Sequence, residues 1–365
     1  MTAAAAPYGC VMTPEVLDRY LRGLEATGAF SGVVRVTVGA DERFAGAYGF
    51  ASRAWGVPNT MDTRFDTASS TKLFTAVATL QQVDAGTLGL DTSAIGYLGL
   101  EGTAISPDVT VRHLLTHTSG IGDDADEEAG ESYEAVWRAR PSYTVLEAAD
   151  FLPQFVHRPP HFAPGAGCRY NNCGYVLLGL MVERATGRSY RDVARENVFG
   201  PAGMADSDFL RMDRINERLA EGADPIRDEA GTIVGWKRNI YSYPPIGSPD
   251  AGADVTAADL DRFMRAVLEG RLLSAELTAA FLTPQVVWRV RDGWVQHFGY
   301  GLWFRVDANG EVVFLQKEGI NAGASCVLRH YPGRDLTVVI LSNLEMGAWE
   351  PLGVVHEMVL EGGFA

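Results

Sequence analysis

Apolar residues recur at helical spacing in Val16, Leu17, Tyr20, Leu21 and Leu24, with Thr13 and Pro14 as a start signal and Gly28 as a stop. The period then shortens to that of strands. Residues 31–38 and 43–50 flank the turn-forming cluster Gly39-Ala40-Asp41-Glu42 and predict a hairpin. A second helix is predicted to start at Ser69-Ser70-Thr71, with Leu73, Phe74, Val77 and Leu80 on its buried face. From there to about residue 250 the signals are helical or loop-like (111–115, 145–151, 175–186, 190–199), with no alternating strand pattern of any strength. After Thr256 a helix runs through Leu260, Phe263, Met264 and Val267, and strand signals return. Residues 300–306 and 312–316 flank Asp307-Ala308-Asn309-Gly310, residues 325–330 and 336–341 flank Pro332-Gly333-Arg334-Asp335, and a last helix is predicted over Trp349–Leu360. Strands at both ends with helices between them predict an α+β fold: one antiparallel sheet assembled from both termini, flanked by helices and carrying a mostly helical inserted lobe. The expected boundaries are 1–74 with 255–365 for the sheet-bearing lobe and 75–254 for the helical one, with a cleft between them.

Composition narrows the class. The chain has 365 residues, 47% of them hydrophobic, enough for a large core. Its formal charge of −15 opposes binding to nucleic acid or to an anionic membrane, so neither is expected as a partner. Of 31 cationic residues only Lys72, Lys237 and Lys317 are lysines. Where guanidinium serves elsewhere, a retained lysine marks a position that needs a compact amine able to lose its proton. Met1–Pro7 has no basic or apolar signal-peptide region and no apolar run reaches membrane-span length, so the expected compartment is the cytoplasm. Cys10, Cys168, Cys173 and Cys326 have neither metal-binding nor C-x-x-C spacing and are read as small buried thiols. No metal or other cofactor is expected.

Three short motifs carry candidate chemistry. Ser69-Ser70-Thr71-Lys72 is an S-x-x-K at a helix start, where residues three apart share a face and Lys72 can take the Ser69 proton. An N-cap serine beside a surface lysine would look the same. Tyr170-Asn171-Asn172 is a Y-x-N ahead of a helix, offering a phenol for proton relay and an amide to hold substrate or lysine. A tyrosine there also suits a core. Lys317-Glu318-Gly319 is expected on a strand edge, where Lys317 offers a cation and Gly319 admits close approach. The N–H of Ile320 would then join that of Ser69 as an oxyanion hole.

In this order, together with Val109-Thr110-Val111-Arg112-His113-Leu114-Leu115-Thr116-His117-Thr118-Ser119-Gly120 and Asn172-Cys173-Gly174-Tyr175-Val176-Leu177-Leu178-Gly179, the motifs resemble the serine β-lactamase and penicillin-binding-protein superfamily. The class C β-lactamase-like esterases and DD-peptidases are the most similar branch, over about residues 30–343. The resemblance implies Ser69 as nucleophile, Lys72 and Tyr170 as acid/base pair, Asn172 as support, Lys317 as the third-motif cation and His117 as structural. It also implies a β-lactamase/transpeptidase-like fold. Glu318 stands where penicillin-recognising members carry a hydroxyl residue. If it projects into the cleft, it repels a substrate carboxylate by about 1 to 4 kcal/mol. The expected activity is therefore esterase-like, on small, largely uncharged ester or amide substrates. Acyl transfer to a second substrate is the alternative, ahead of β-lactam or peptide hydrolysis and a silent binding module. Trp236 and Tyr243, in an aromatic and proline-rich stretch, are expected to contact substrate or to pack between lobes. The acidic stretch 122–134 is expected to be a solvated loop, with a lid as the alternative. The oligomeric state is left open.

Overall fold

In the computed structural model, which describes residues 13–131 and 133–364, eight strands form one antiparallel sheet. They are β1 (Gly32–Val38), β2 (Asp41–Tyr48), β3 (Val286–Arg291), β4 (Trp294–Phe298), β5 (Trp303–Asp307), β6 (Val312–Asn321), β7 (Ala324–Tyr331) and β8 (Leu336–Ser342). Their order is β2-β1-β8-β7-β6-β5-β4-β3, so the expected sheet from both termini is present. β1 meets β8 in a seven-residue register, from Gly32 opposite Ser342 to Val38 opposite Leu336. Among the described residues five helices have twelve residues or more: α1 (Pro14–Ala26), α2 (Lys72–Asp84), α3 (Cys173–Thr186), α4 (Ala257–Leu268) and α5 (Trp349–Leu360).

Strand alternation divides the core between the two faces of the sheet. Val338 and Ile340 of β8 pack with Leu17 and Leu21 of α1 and Val355 and Met358 of α5. Their neighbours Val339 and Leu341 join Phe74, Leu178 and Phe263 of α2, α3 and α4 on the other face. β8 is covered on both sides, which is why its sequence is an almost unbroken apolar run.

β5 pairs with β6 only as far as Gln316, whereas β7 follows β6 to Asn321. Residues 317–321 thus present one strand edge to the start of α2.

The structure departs from the expectations where little surface is buried. A hairpin of Ala223–Arg227 and Ile233–Arg238 lies in the stretch expected to lack strands. Apart from Ala223 its residues are exposed or only half-buried, so no buried face imposes an alternating pattern on the sequence. The edge hairpin β3–β4 escaped notice for the same reason. Thr13 has the extended backbone of an N-cap, yet its hydroxyl donates to Glu15 instead of accepting from the helix. Cys173 and Cys326 are buried free thiols and Cys168 is half-buried, while Cys10 lies outside the described residues, as does Met1–Pro7. No helix among the described residues is long and apolar enough to cross a membrane.

Candidate active site

The segment ahead of α2 is bent back on itself. Ala68 has φ +44°, a left-handed conformation that costs a non-glycine residue about 1 to 3 kcal/mol and persists only when its surroundings hold it. Asp66 does so by accepting the Ala68 N–H at 2.6 Å, and Thr67 is tied through N–H and hydroxyl to the Ala253 carbonyl, each at 2.9 Å. A 3-10 turn, Ala68–Thr71, then leads into α2. The result leaves Ser69 partly exposed and buries Ser70 completely. Asp66 was missed in the sequence, although an aspartate two residues before a tight turn is a recognised side-chain-to-backbone signal.

Lys72 follows on the same face and is wholly buried. Its Nζ lies 3.1 Å from Ser69 Oγ, 2.6 Å from Asn172 Oδ1 and 2.7 Å from the Asp250 carbonyl oxygen. Asn172 reaches Lys72 because its backbone sits at the start of α3, where Asp123 accepts the N–H groups of Asn172 at 2.9 Å and Cys173 at 3.0 Å. Its amide nitrogen also donates to the Tyr133 hydroxyl. Asp123 and Asp124 are therefore not part of a solvated loop: they are 5% and 3% exposed, and the first caps the helix that carries Asn172. Donor atoms of Asp123, Asp124 and Cys173 lie within 4.8 Å of one another. Each already takes a backbone N–H: Asp123 that of Cys173 at the helix start, Asp124 that of Ala125, and the Cys173 sulfur that of Asp124, so the trio ties the loop to the helix start.

Tyr170 stands between the two lysines. Its hydroxyl is 3.5 Å from Lys317 Nζ, and Lys72 Nζ is 5.2 Å from its ring centre. The His117 ring packs against it at 4.6 Å between centroids. Burial, then the Lys317 and Lys72 charges, hold the His117 imidazole well below its ordinary pKa, so it is neutral and its Nδ1 accepts the Asn171 N–H. This agrees with a structural part for His117.

Lys317 and Gly319 share the face of β6 that looks toward α2. A Cβ on Gly319 would fall 2.1 Å from the Thr67 carbonyl oxygen and 2.9 Å from Ser69 N, so only glycine lets this strand edge reach the serine turn. Ser69 N, in the first turn, has no intrahelical acceptor by position. Glu318 points the other way, against the expectation that it enters the cleft. Successive strand residues alternate faces, and its carboxylate accepts from Gln316 Nε2 at 2.6 Å and sits near Arg329, on the side of α1 and α5. The argument from Glu318 to uncharged substrates thereby loses its premise.

A cavity of about 540 Å³ opens at Ser69 and Asn172 and runs along Ile320 and Asn321. Tyr243, Pro244 and Pro245 line it, and Tyr133 and Trp137 form part of its wall. Trp236 is not in the lining. It lies on the exposed hairpin, where the Arg53 guanidinium stacks 3.6 Å from its ring centre.

The Beta-lactamase family model matches residues 17–352. Penicillin-binding protein 4 of Amycolatopsis lactamdurans is 30% identical over 316 residues, covering 81% of this chain and 76% of its own length. Esterase EstB of Burkholderia gladioli is 34% identical over 204 residues, 53% of this chain and 50% of that protein. The crystal structure of a penicillin-binding protein from Bacillus halodurans superposes with a TM-score of 0.84 at 37% identity, covering 92% of this chain and 98% of that one. The matched span begins in α1, ends in α5 and takes in every element that brings Ser69, Lys72, Tyr170, Asn172 and Lys317 together, so the chain belongs to the Beta-lactamase family of serine hydrolases.

Proposed function

We propose that the chain forms an acyl-enzyme at Ser69 and acts as an esterase on small ester or amide substrates. The observation that carries this is the surroundings of Lys72 Nζ. A neutral amine has two N–H donors and one lone pair. When the donors go to Asn172 Oδ1 and the Asp250 carbonyl, the lone pair is available to the Ser69 hydroxyl at 3.1 Å and can take its proton. Ser69 Oγ then bonds to the substrate carbonyl carbon, and the N–H groups of Ser69 and Ile320 hold the oxyanion. Tyr170, beside both lysines, passes the proton to the departing alkoxide or amine as the C–O or C–N bond breaks. Water repeats the sequence on the acyl-enzyme and returns the proton to Ser69. The exposure of Ser69 beside buried Ser70 supports this choice of nucleophile, and the esterase relative supports the substrate class.

A fluorophosphonate is expected to add once per chain, with peptide mapping placing it on Ser69. Lys72→Arg keeps the charge but cannot accept the proton, so acylation is expected to fall by about 10² to 10⁴. A label on Ser70, or near-normal turnover in Lys72→Arg, refutes the assignment.

A further inference from the structure

The cavity floor next to the serine turn contains an unusual pairing. Asp66 and Asp254 stand directly opposite each other where Phe65 and Asp66 pair with Asp254 and Val255 in a short two-stranded sheet. Both line the same cavity as Ser69. Like charges in that position repel, and one oxygen of each carboxylate is enough for its backbone contact. Each is half satisfied: Asp66 Oδ1 takes the Ala68 N–H at 2.6 Å and Asp254 Oδ2 the Leu210 N–H at 3.1 Å. The other oxygen of each has no hydrogen-bond donor among the described residues.

A second, independent group of the same polarity lines this cavity. Asn343 is 3% exposed, and its Nδ2 donates to the carbonyls of Phe50 and Glu221, both at 2.9 Å. Those two bonds fix the orientation of the amide, and they leave Asn343 Oδ1 as a buried acceptor with no donor among the described residues. Five carboxylates line the cavity against two guanidinium groups, Arg214 and Arg238, and Arg238 is already drawn to Glu221 at 3.7 Å. Arg64 offsets the Asp254 charge only in part, since its own partner is Asp206 at 3.6 Å. By formal charge the lining is acidic, five carboxylates to two guanidinium groups, the complement of a group with several N–H bonds and a positive charge.

We infer that the Asp66–Asp254 floor is an ammonium-binding subsite, and that the substrate hydrolysed at Ser69 carries a protonated amine a few bonds from its scissile carbonyl. This rests on the acyl-enzyme reading above and names the substrate class within it. The short reach follows from Asp66, whose carboxyl is bonded to the N–H of the residue next to Ser69. Burial raises the Asp66 carboxyl to about 6 and the Asp254 carboxyl well above its usual range. An arriving ammonium takes the place of the proton the pair would otherwise keep.

The test uses the whole protein and three methyl esters of similar size: β-alanine methyl ester, methyl butanoate and monomethyl succinate, followed by methanol release. The expected order of kcat/KM is cationic, neutral, anionic, with at least tenfold between the first two. Asp254→Asn and Asp66→Asn are each expected to lower the cationic-to-neutral ratio at least fivefold, each variant supplying its own reference through the neutral ester. Methylammonium is expected to inhibit methyl butanoate hydrolysis competitively in the wild type, a measurement that stands even if a variant fails to fold. Equal kcat/KM for the cationic and neutral esters, with Ser69 still labelled by fluorophosphonate, overturns the subsite and leaves the acyl-enzyme reading intact. Loss of labelling at Ser69 overturns that reading instead. Calcium or magnesium raising Tm and blocking hydrolysis where methylammonium does neither would reassign the carboxylates to a metal ion.

Discussion

Gly319 has no side chain to act with, yet the reaction geometry depends on it. The Thr67 carbonyl it faces is backbone, fixed by the short sheet and the Ala253 contacts, and cannot swing aside as a flexible side chain would. Gly319→Ala is expected to push β6 away from the serine turn and carry the Ile320 N–H with it. Displacements of about 1 Å cost on the order of 10² in rate, so kcat/KM for a neutral ester should drop by roughly that factor. A thermal melt on the same preparation separates this loss from unfolding. Near-normal turnover would show that the strand edge and the serine turn need not touch. Glu318, its neighbour, illustrates how one step along a strand decides relevance, since the same motif places Lys317 on the side of the chemistry and Glu318 behind it.

At the scale of elements, α3 matters through its first turn. Asp123 supplies both oxygens to the N–H groups that begin this helix, where the helix dipole also favours a negative charge. Asp123→Ala would strand two buried donors at a cost of about 1 to 3 kcal/mol. A lower Tm is expected together with lower kcat, because Asn172 begins the helix and aligns Lys72. Asp123→Asn keeps one acceptor and should fall between the two. An Asp123→Ala protein with unchanged Tm would show that the helix start is satisfied without it. This link was not legible in the sequence, for Asp123 precedes Asn172 by 49 residues and sits in a run whose composition reads as solvated. The S-x-x-K and Y-x-N spacings were legible because they act within one helical face or one turn. The two-termini sheet was legible because β8 and its neighbours bury apolar residues on a regular period. The acidic floor escaped, since Asp66 and Asp254 meet only through tertiary pairing and each alone resembles an ordinary surface aspartate.

Across the whole molecule, buried titratable groups pull stability in opposite directions with pH. Asp66, held near 6, keeps a proton that the unfolded chain releases from about pH 4 upward, so its contribution is full at low pH and is lost as pH rises through about 6. His330 and His356, pushed down to about 4 by burial, act the other way: the unfolded chain protonates first, and stability is lost as pH falls through that window. The wild-type profile mixes these terms, but a difference isolates one. Asp66→Asn retains an acceptor for the Ala68 N–H and removes the ionisation. Its stability relative to wild type, from urea midpoints, is expected to grow between pH 4 and 6, and a constant difference would mean that the Asp66 carboxyl titrates normally. The pairing of Gly32 with Ser342 has a further consequence, for the order of events at birth. A ribosome delivers β1 and β2 some 300 residues before β8, and through that interval the apolar outer edge of the hairpin has no neighbour. Such an unpaired edge is a site for association with other chains, and closing a contact of that span is slow. Early chain termination, even a short distance before residue 336, would leave that edge permanently open, and aggregation of the nascent chain is the failure to which this architecture is most exposed.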